Sequence, residues 1–183
     1  MSPVAPHDQL GALLRRDAVL RGDFVLASGR RSDYYLDARL VTLSAAGAWL
    51  VGQVFVERLQ GEGVNAVAGL AIGADPIVAA IATCAGSLGL HIDGFIVRKE
   101  RKEHGAGRRI EGPWRDGLRV AIVDDTLTTG ASSLEAARAA EEEGASIEGV
   151  YALIDREQGA REAIEHAGYS FNAFFTAHEL LGQ

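Results

Sequence analysis

Short apolar segments alternate along this chain with longer segments whose apolar residues recur at helical spacing. The segments with the length and composition of buried strands are 65–70, 92–99, 120–123, 147–155 and 169–175. Helical spacing is found in 44–60, 76–88, 131–143 and 160–167. Because continuous apolar strands alternating with helices are typical of parallel sheets covered on both faces, the pattern predicts an α/β domain.

The first 43 residues follow a different pattern. Leucines at helical spacing in 8–21 precede Gly22, which predicts a helix that ends there. Two short strands, 24–29 and 33–41, are expected to follow, joined by a turn at 29–32. In the second strand, spacing alone favours one of Tyr34 and Tyr35 facing the core and the other facing solvent. Asp37 and Arg39 are expected to be structural partners.

The segment 118–133 changes abruptly from an apolar strand to acids, threonines, a glycine and serines. Asp124 and Asp125 follow the strand, at the sheet edge where α/β proteins bind ligands. Gly130 and the threonines offer unhindered backbone N–H groups and hydroxyls, and a helix beginning near 131 adds its positive dipole end. Ser132 and Glu135 have the spacing of a capping box. The segment predicts a phosphate cradle.

Two carboxylates beside a phosphate would repel it unless they bind another part of the same ligand. Ribose hydroxyls can donate hydrogen bonds to carboxylates, directly or through a metal, while the amides hold the phosphate. The residue types therefore suit a phosphoribosyl group. The alternative is a βα turn whose Asp and Thr residues merely cap the helix. The segment contains neither a Walker A sequence nor a dinucleotide G-x-G-x-x-G.

Positive charge is concentrated at 98–114, although the protein has a net charge of -7. Glycines at 105, 107 and 112 and Pro113 disfavour regular structure there, which predicts a long mobile loop suited to a lid. A solvated charged surface or a nucleic-acid contact is the alternative. Arg156 follows the strand 147–155, where its guanidinium could pair with a ligand carboxylate or, equally, with Asp155 or Glu157.

The motif VAIVDDTLTTGASS resembles the diphosphoribosyl-binding signature of type I phosphoribosyltransferases, and further segments narrow the resemblance to orotate phosphoribosyltransferases. It extends from about Phe24 to the final helix. It implies a single domain, 1–183, of the type I phosphoribosyltransferase fold, with a small hood mainly from 1–43. The implied reaction transfers a phosphoribosyl group from 5-phospho-α-D-ribose 1-diphosphate to orotate, giving orotidine 5′-monophosphate and diphosphate in pyrimidine (UMP) biosynthesis.

The resemblance also implies roles for individual residues, since the loop has the family pattern R-K-x-x-K-x-H-G. The residues expected to bind the donor are Arg98, Lys99, Lys102, His104, Asp124, Asp125, Thr126, Leu127, Thr128, Thr129, Gly130, Ala131 and Ser132. Orotate is expected to contact Tyr34, Tyr35, Thr128 and Arg156. The expected catalytic residues are Lys102, Asp125 and His104. Lys102 leads because an ammonium group on a closing loop would stabilise the charge on departing diphosphate.

Family members use Mg²⁺, so this resemblance implies a magnesium cofactor held mainly by the donor, with no protein ligand directly assigned. It also implies a homodimer in which Lys99, Lys102 and His104 reach the partner's site. Lysines common in the family are replaced here by Ala27 and by Gly73 or Ala74.

The acidic composition argues against a general nucleic-acid or anionic-membrane binder. The N-terminal residues lack a signal pattern and no apolar run approaches the roughly 18 residues that span a bilayer, so a cytoplasmic location is expected. Two rival functions remain. A phosphoribosyltransferase for another base would share the cradle but should lack the combination of Tyr34, Tyr35, the basic loop and Arg156. A non-catalytic donor-binding regulator would need a nucleic-acid surface.

Overall fold

Eight strands form two sheets in a computed structural model, which describes residues 4–25, 29, 31–100 and 109–182. The strands are β1 (Val19–Val25), β2 (Arg31–Leu36), β3 (Ala66–Leu70), β4 (Asp93–Val97), β5 (Ile110–Glu111), β6 (Arg119–Leu127), β7 (Ser146–Asp155) and β8 (Phe171–Thr176). The central sheet has the order β5-β4-β3-β6-β7-β8, and only the β4–β5 pair is antiparallel. The predicted α/β fold with a mostly parallel sheet is confirmed.

Helices cover both faces of this sheet. They are α1 (Pro6–Leu13), α2 (Arg39–Thr42), α3 (Ala45–Leu59), α4 (Asp75–Ser87), α5 (Ala131–Glu142), α6 (Ala160–His166) and α7 (Ala177–Leu181). Alternation along β3 separates two cores: Val67 packs with α1, α3 and α4, whereas Ala66 and Ala68 pack with α5 and α6. Within the described ranges, no helix combines the length and apolar character needed to cross a membrane.

The N-terminal segment departs from its sequence prediction. The helix predicted to end at Gly22 is wrong in its second half, because α1 continues only as a π-helical turn over Leu14–Ala18 and β1 then begins. β1 pairs antiparallel with β2 in a separate two-stranded sheet. β2 also ends earlier than predicted, at Leu36, and 39–42 are helical. This non-local pairing satisfies backbone groups in a way that local spacing cannot reveal.

The carboxyl ends of β3, β6 and β7 meet at one edge of the central sheet. β6 was predicted to end at Val123, but its pairing with β7 continues to Leu127, so both aspartates lie within the strand. Beside it, a Cβ at Gly69 would lie 2.4 Å from the Val123 carbonyl oxygen and 2.2 Å from the Ala74 Cβ. A glycine at 69 therefore lets the loop after β3 fold closely against this edge.

Candidate functional site

Asp124, in the second half of β6, connects this strand to the first turn of α5. Its carboxylate is 5% exposed and accepts hydrogen bonds from the Ser132 hydroxyl at 2.7 Å, the Ser133 hydroxyl at 3.3 Å and the Asp125 N–H at 2.9 Å. Burial raises the pKa of Asp124, and these hydrogen bonds oppose the rise. Asp124 therefore positions the cradle from within the protein. Its predicted contact with the donor stays a prediction.

The predicted capping box at Ser132 and Glu135 is wrong. α5 begins after Gly130, which has a left-handed φ of 76° and provides no side-chain cap. The Ser132 hydroxyl donates instead to Asp124, and the Glu135 carboxylate pairs with Arg109. Because Ser132 lies within the first turn of α5 and not at its N-cap, its oxygen is not placed to accept the N–H that a capping box requires, and its hydroxyl is left to donate to the buried Asp124 carboxylate.

Asp125 lies between the cradle and the loop after β3. Its Oδ1 accepts the Thr126 N–H at 2.7 Å, and a Cβ at Gly73 would come within 2.8 Å of the same oxygen. Burial, and then the neighbouring Asp124 charge, raise the pKa of Asp125 to about 6, while the Arg39 guanidinium opposes the rise. This carboxylate is therefore ionised at neutral pH but titrates within a mildly acidic range.

A cavity of about 310 Å³ joins the predicted donor and base residues. Its walls are formed by Tyr35, Leu36, Asp37, Ala38, Arg39, Gly73, Asp125, Thr126, Thr128 and Arg156. Five of these were predicted to contact substrates. The sequence reasoning missed Arg39 as a cavity residue, although its expected pairing with Asp37 is confirmed by contacts of 2.9 and 3.2 Å. The sequence signal that could have placed Arg39 at the cavity is that it follows Tyr35, a predicted orotate contact, by four residues.

Arg156 lines this cavity. Its backbone N–H donates to the Leu127 carbonyl at 2.9 Å, and its guanidinium carbon lies 6.0 Å from the centre of the Tyr34 ring. Its Nε is buried without a hydrogen-bond partner among the described residues. The alternative pairing with Asp155 or Glu157 is not found in the described part of the chain. Asp155 accepts the Glu157 N–H at 2.8 Å instead.

The two tyrosines of β2 both end up half-buried, so the expectation of one solvent-facing ring is wrong. Tyr34 packs against the core that contains α1 and α3 and lies under Arg156. Tyr35 lines the cavity, and its ring centre lies 5.8 Å from that of Phe24. The pairing of β1 with β2 shifts register between Arg21, which lies opposite Tyr34, and Phe24.

The remaining cradle positions differ in what they can offer. Leu127 is 1% exposed and packs in the core, so only its backbone is open to a ligand role. The Thr126 hydroxyl is buried without a partner among the described residues, whereas Thr129 and Ala131 are exposed. No cluster of three metal-binding side chains occurs in the ranges that the structure describes.

The basic segment is described only at its two ends. Arg98 and Lys99 are exposed after β4, and Arg98 forms an ion pair of 3.5 Å with Glu111. Lys102 and His104, like Ala27, lie outside the described residues. The range predicted as a loop also includes β5, which pairs with β4.

Sequence and structure comparisons identify similar proteins over nearly the whole chain. An orotate phosphoribosyltransferase of Tropheryma whipplei (strain Twist) is 46% identical over 165 residues, covering 90% of this chain and 77% of that protein. The Mycobacterium tuberculosis H37Rv orotate phosphoribosyltransferase in complex with Fe(III) dicitrate gives a TM-score of 0.87 at 39% identity, covering 96% of this chain and 99% of that one. Its complex with 5-phospho-α-D-ribosyl 1-diphosphate gives 0.83 at 36% identity, covering 96% and 99%. A search with profiles of known protein families gives no match.

Proposed function

Because the chain belongs to the orotate phosphoribosyltransferase family, we propose that it transfers a phosphoribosyl group from 5-phospho-α-D-ribose 1-diphosphate to orotate. The products are orotidine 5′-monophosphate and diphosphate, which assigns this pentosyltransferase to pyrimidine biosynthesis. The name of the Mycobacterium tuberculosis relative and its complex with the donor support this proposal.

The observation that carries the proposal is the Arg156 Nε, which is buried without a hydrogen-bond partner among the described residues, beside a cavity that also contains Asp125 and Thr128. A half-buried arginine that lacks an acidic partner among the described residues is suited to an anionic ligand, and the planar donors of its guanidinium match a carboxylate in two-point geometry. Orotate carries a carboxylate, whereas adenine, hypoxanthine and uracil do not. Arg156 therefore distinguishes orotate from those bases.

The opposite side of the cavity suits the donor. The cradle's backbone N–H groups and the N-terminus of α5 would bind the ribose 5-phosphate, and ionised Asp125 would accept hydrogen bonds from ribose hydroxyls. With orotate bound on one side of the cavity and the donor on the other, the acceptor nitrogen of orotate lies close to the anomeric carbon of ribose. This proximity is the main source of rate acceleration in such a transfer. Lys99, Lys102 and His104 are proposed to bind the departing diphosphate.

Asp125 also fits the proposed magnesium cofactor. Mg²⁺ is commonly held by one or two carboxylates together with substrate phosphates, and Asp125 lines the cavity while Asp124 is engaged by two serines. When bound, the ion would neutralise charge on the donor's diphosphate. The protein's part is to present the ionised carboxylate of Asp125 beside the ribose, while Asp124 holds the cradle through the hydroxyls of Ser132 and Ser133.

Purified protein with donor and Mg²⁺ is expected to consume orotate, followed by its absorbance, and to leave adenine, hypoxanthine and uracil unchanged. Turnover of another base would be consistent with donor binding at the cradle but would contradict the assignment of Arg156 to an orotate carboxylate. Donor binding without turnover of any base would favour the regulator.

Lys102→Ala is expected to lower kcat for orotate by about a hundredfold or more, because the charge on the leaving diphosphate would lose a preorganised cation. The orotate KM should change little. Arg115→Gln is the matched control, since Arg115 pairs with Asp93 beyond the basic segment. Unchanged kcat in the Lys102 variant would contradict the role of this residue.

An apolar surface on α3 and α4 supports the proposal that this protein forms a homodimer. A groove of about 460 Å³ between α3 and α4 is lined by Thr42, Leu43, Ala45, Ala48, Trp49, Pro76, Ala79, Ala80 and Thr83. Trp49 is 54% exposed and Leu43 is 70% exposed on the same face. In a two-fold interface the same surface of both copies is in contact, so Trp49 of each copy could pack into the groove of the other.

Trp49→Glu is expected to convert the dimer to monomer in sedimentation analysis, while Leu88→Glu, at an exposed leucine on the far end of α4, should not. If Lys102 acts across the interface, mixing inactive Lys102→Ala with inactive Asp125→Asn should restore about a quarter of wild-type activity through random exchange of subunits. A dimeric Trp49→Glu protein would contradict the surface, and no restored activity would contradict the shared site. A cytoplasmic location stays a prediction.

A further inference from the structure

The two ends of the basic segment are bound to each other. The Arg98 N–H donates to the Arg109 carbonyl at 2.9 Å, and Arg109 Nε donates back to the Arg98 carbonyl at 2.9 Å. These contacts extend the antiparallel β4–β5 pairing, in which Val97 lies opposite Ile110. The position where Arg98 and Lys99 leave the sheet is therefore set by Arg109.

Arg109 also connects this base to the cradle helix. Its side chain is only 19% exposed, and its terminal nitrogen pairs with Glu135 on α5. Glu135 lies one turn beyond Ser132, whose hydroxyl donates to Asp124 at the end of β6. One guanidinium thus spans two acceptors on different elements, which a lysine ammonium with a single point charge does not reproduce in a fixed geometry.

A second contact fixes the same segment to the other end of α5. The Trp114 indole N–H donates to the Glu143 carbonyl at 3.0 Å, and its ring packs edge-on against Phe95 at 5.0 Å. At Gly112, which has a φ of 128°, a Cβ would lie 2.7 Å from the Phe95 ring. The C-terminal part of the basic segment, 109–114, is therefore held along α5, with Arg109 as its contact nearest the cradle.

We propose that Arg109 and Glu135 are positioning residues for donor binding: they fix the point at which Arg98 and Lys99 leave the sheet, and so set where these side chains meet the diphosphate of a donor, in this subunit or in the partner's site. This inference rests on the proposed function, because it takes Arg98 and Lys99 as contacts of the donor's diphosphate. Arg109 acts through the backbone of Arg98, and its own terminal nitrogen is occupied by Glu135. Glu135, an acid near a diphosphate site, serves the site only through this pairing.

The test measures donor dissociation constants by calorimetry in the full chain with Mg²⁺, for Arg109→Gln, Glu135→Gln, the double variant and Arg109→Lys. We expect each single glutamine variant to weaken donor binding by about tenfold, with the double variant no weaker than Arg109→Gln because the two residues act as a unit. Arg109→Lys should recover only part of the loss. Arg115→Gln, which breaks an exposed ion pair just beyond the basic segment, should bind donor normally.

The orotate KM and the unfolding temperature distinguish positioning from general damage. Both should stay near wild type in Glu135→Gln while donor binding weakens. A loss confined to Arg109→Gln, with Glu135→Gln normal, would overturn the proposal in favour of a direct contact between Arg109 and the donor. Equal losses in donor binding and orotate KM, or in the Arg115 control, would also overturn it. Since donor binding is measured without turnover, the result stands apart from whether orotate is the accepted base.

Discussion

Asp125→Asn should stabilise the folded protein at pH 7.5 while reducing phosphoribosyl transfer at least a hundredfold. The pKa of Asp125 is raised to about 6 by burial and by Asp124, against about 3.9 for an unfolded aspartate. The folded state therefore binds this proton more tightly than the unfolded state, and stability is lost as pH rises through the range from 4 to 6. Asparagine carries no charge and escapes this loss.

Urea unfolding at two pH values checks the prediction. The gain in unfolding free energy for Asp125→Asn should reach about 2–3 kcal/mol at pH 7.5, from roughly two pKa units, and should disappear below pH 4. Asparagine retains the oxygen that accepts the Thr126 N–H, so this hydrogen bond is not a source of difference. Asp33→Asn, at an exposed aspartate of β2, is the control and should show no such gain.

The activity loss has a separate cause, because a neutral amide accepts ribose hydroxyls weakly and holds Mg²⁺ poorly. In the wild-type protein, donor affinity should accordingly fall as pH drops below about 6. A variant whose stability relative to wild type is the same at both pH values, or one that retains activity, would contradict the role assigned to Asp125.

Arg156→Gln is expected to raise the orotate KM by about a hundredfold or more and to leave the donor KM within about twofold. Removing the guanidinium leaves a bound carboxylate without its charged partner, and losing one partner of a buried charge pair typically costs about 2–5 kcal/mol. Arg156→Lys should recover only part of the affinity, because it restores the charge without the two-point geometry. Initial-rate measurements with each substrate varied in turn separate the two KM values.

Arg161→Gln provides the control for Arg156. It removes an arginine on α6 that pairs with Glu165 and stacks over Phe171, outside the cavity. Its orotate KM should match wild type. Equal increases in the orotate and donor KM of Arg156→Gln would instead indicate that this residue supports the whole site.

Local sequence was sufficient for the five parallel strands of the central sheet and for the position of the cradle helix, but not for β5, which lies in the range predicted as a loop. The apolar run 120–123, which precedes Asp124 and Asp125, predicts a buried strand because consecutive apolar residues face both sides of a sheet and need cover on both. All four residues are fully buried. Gly130 then starts α5 almost where the motif predicts, since few residues other than glycine adopt its φ of 76°. Residues of the predicted site meet because parallel strands present their carboxyl ends at one edge.

The failures arose where a distant partner decides the outcome. The spacing of the leucines predicts a first helix that extends to Gly22. Residues 19–25 instead form a strand because they pair with β2. Ser132 and Glu135 are spaced like a capping box, yet their partners are Asp124 and Arg109, brought close by the strand order. Arg109 was counted only as part of a charge run, since nothing local indicates that it reaches an acid 26 positions away.

The crystal structure of the protein with orotidine 5′-monophosphate tests the central claim most directly. The account predicts the orotate carboxylate on the Arg156 guanidinium, the base beside Tyr35, and the 5′-phosphate on the backbone of the cradle at 128–132. A base bound outside the cavity between β2 and the end of β6, or a carboxylate that does not contact Arg156, would contradict it.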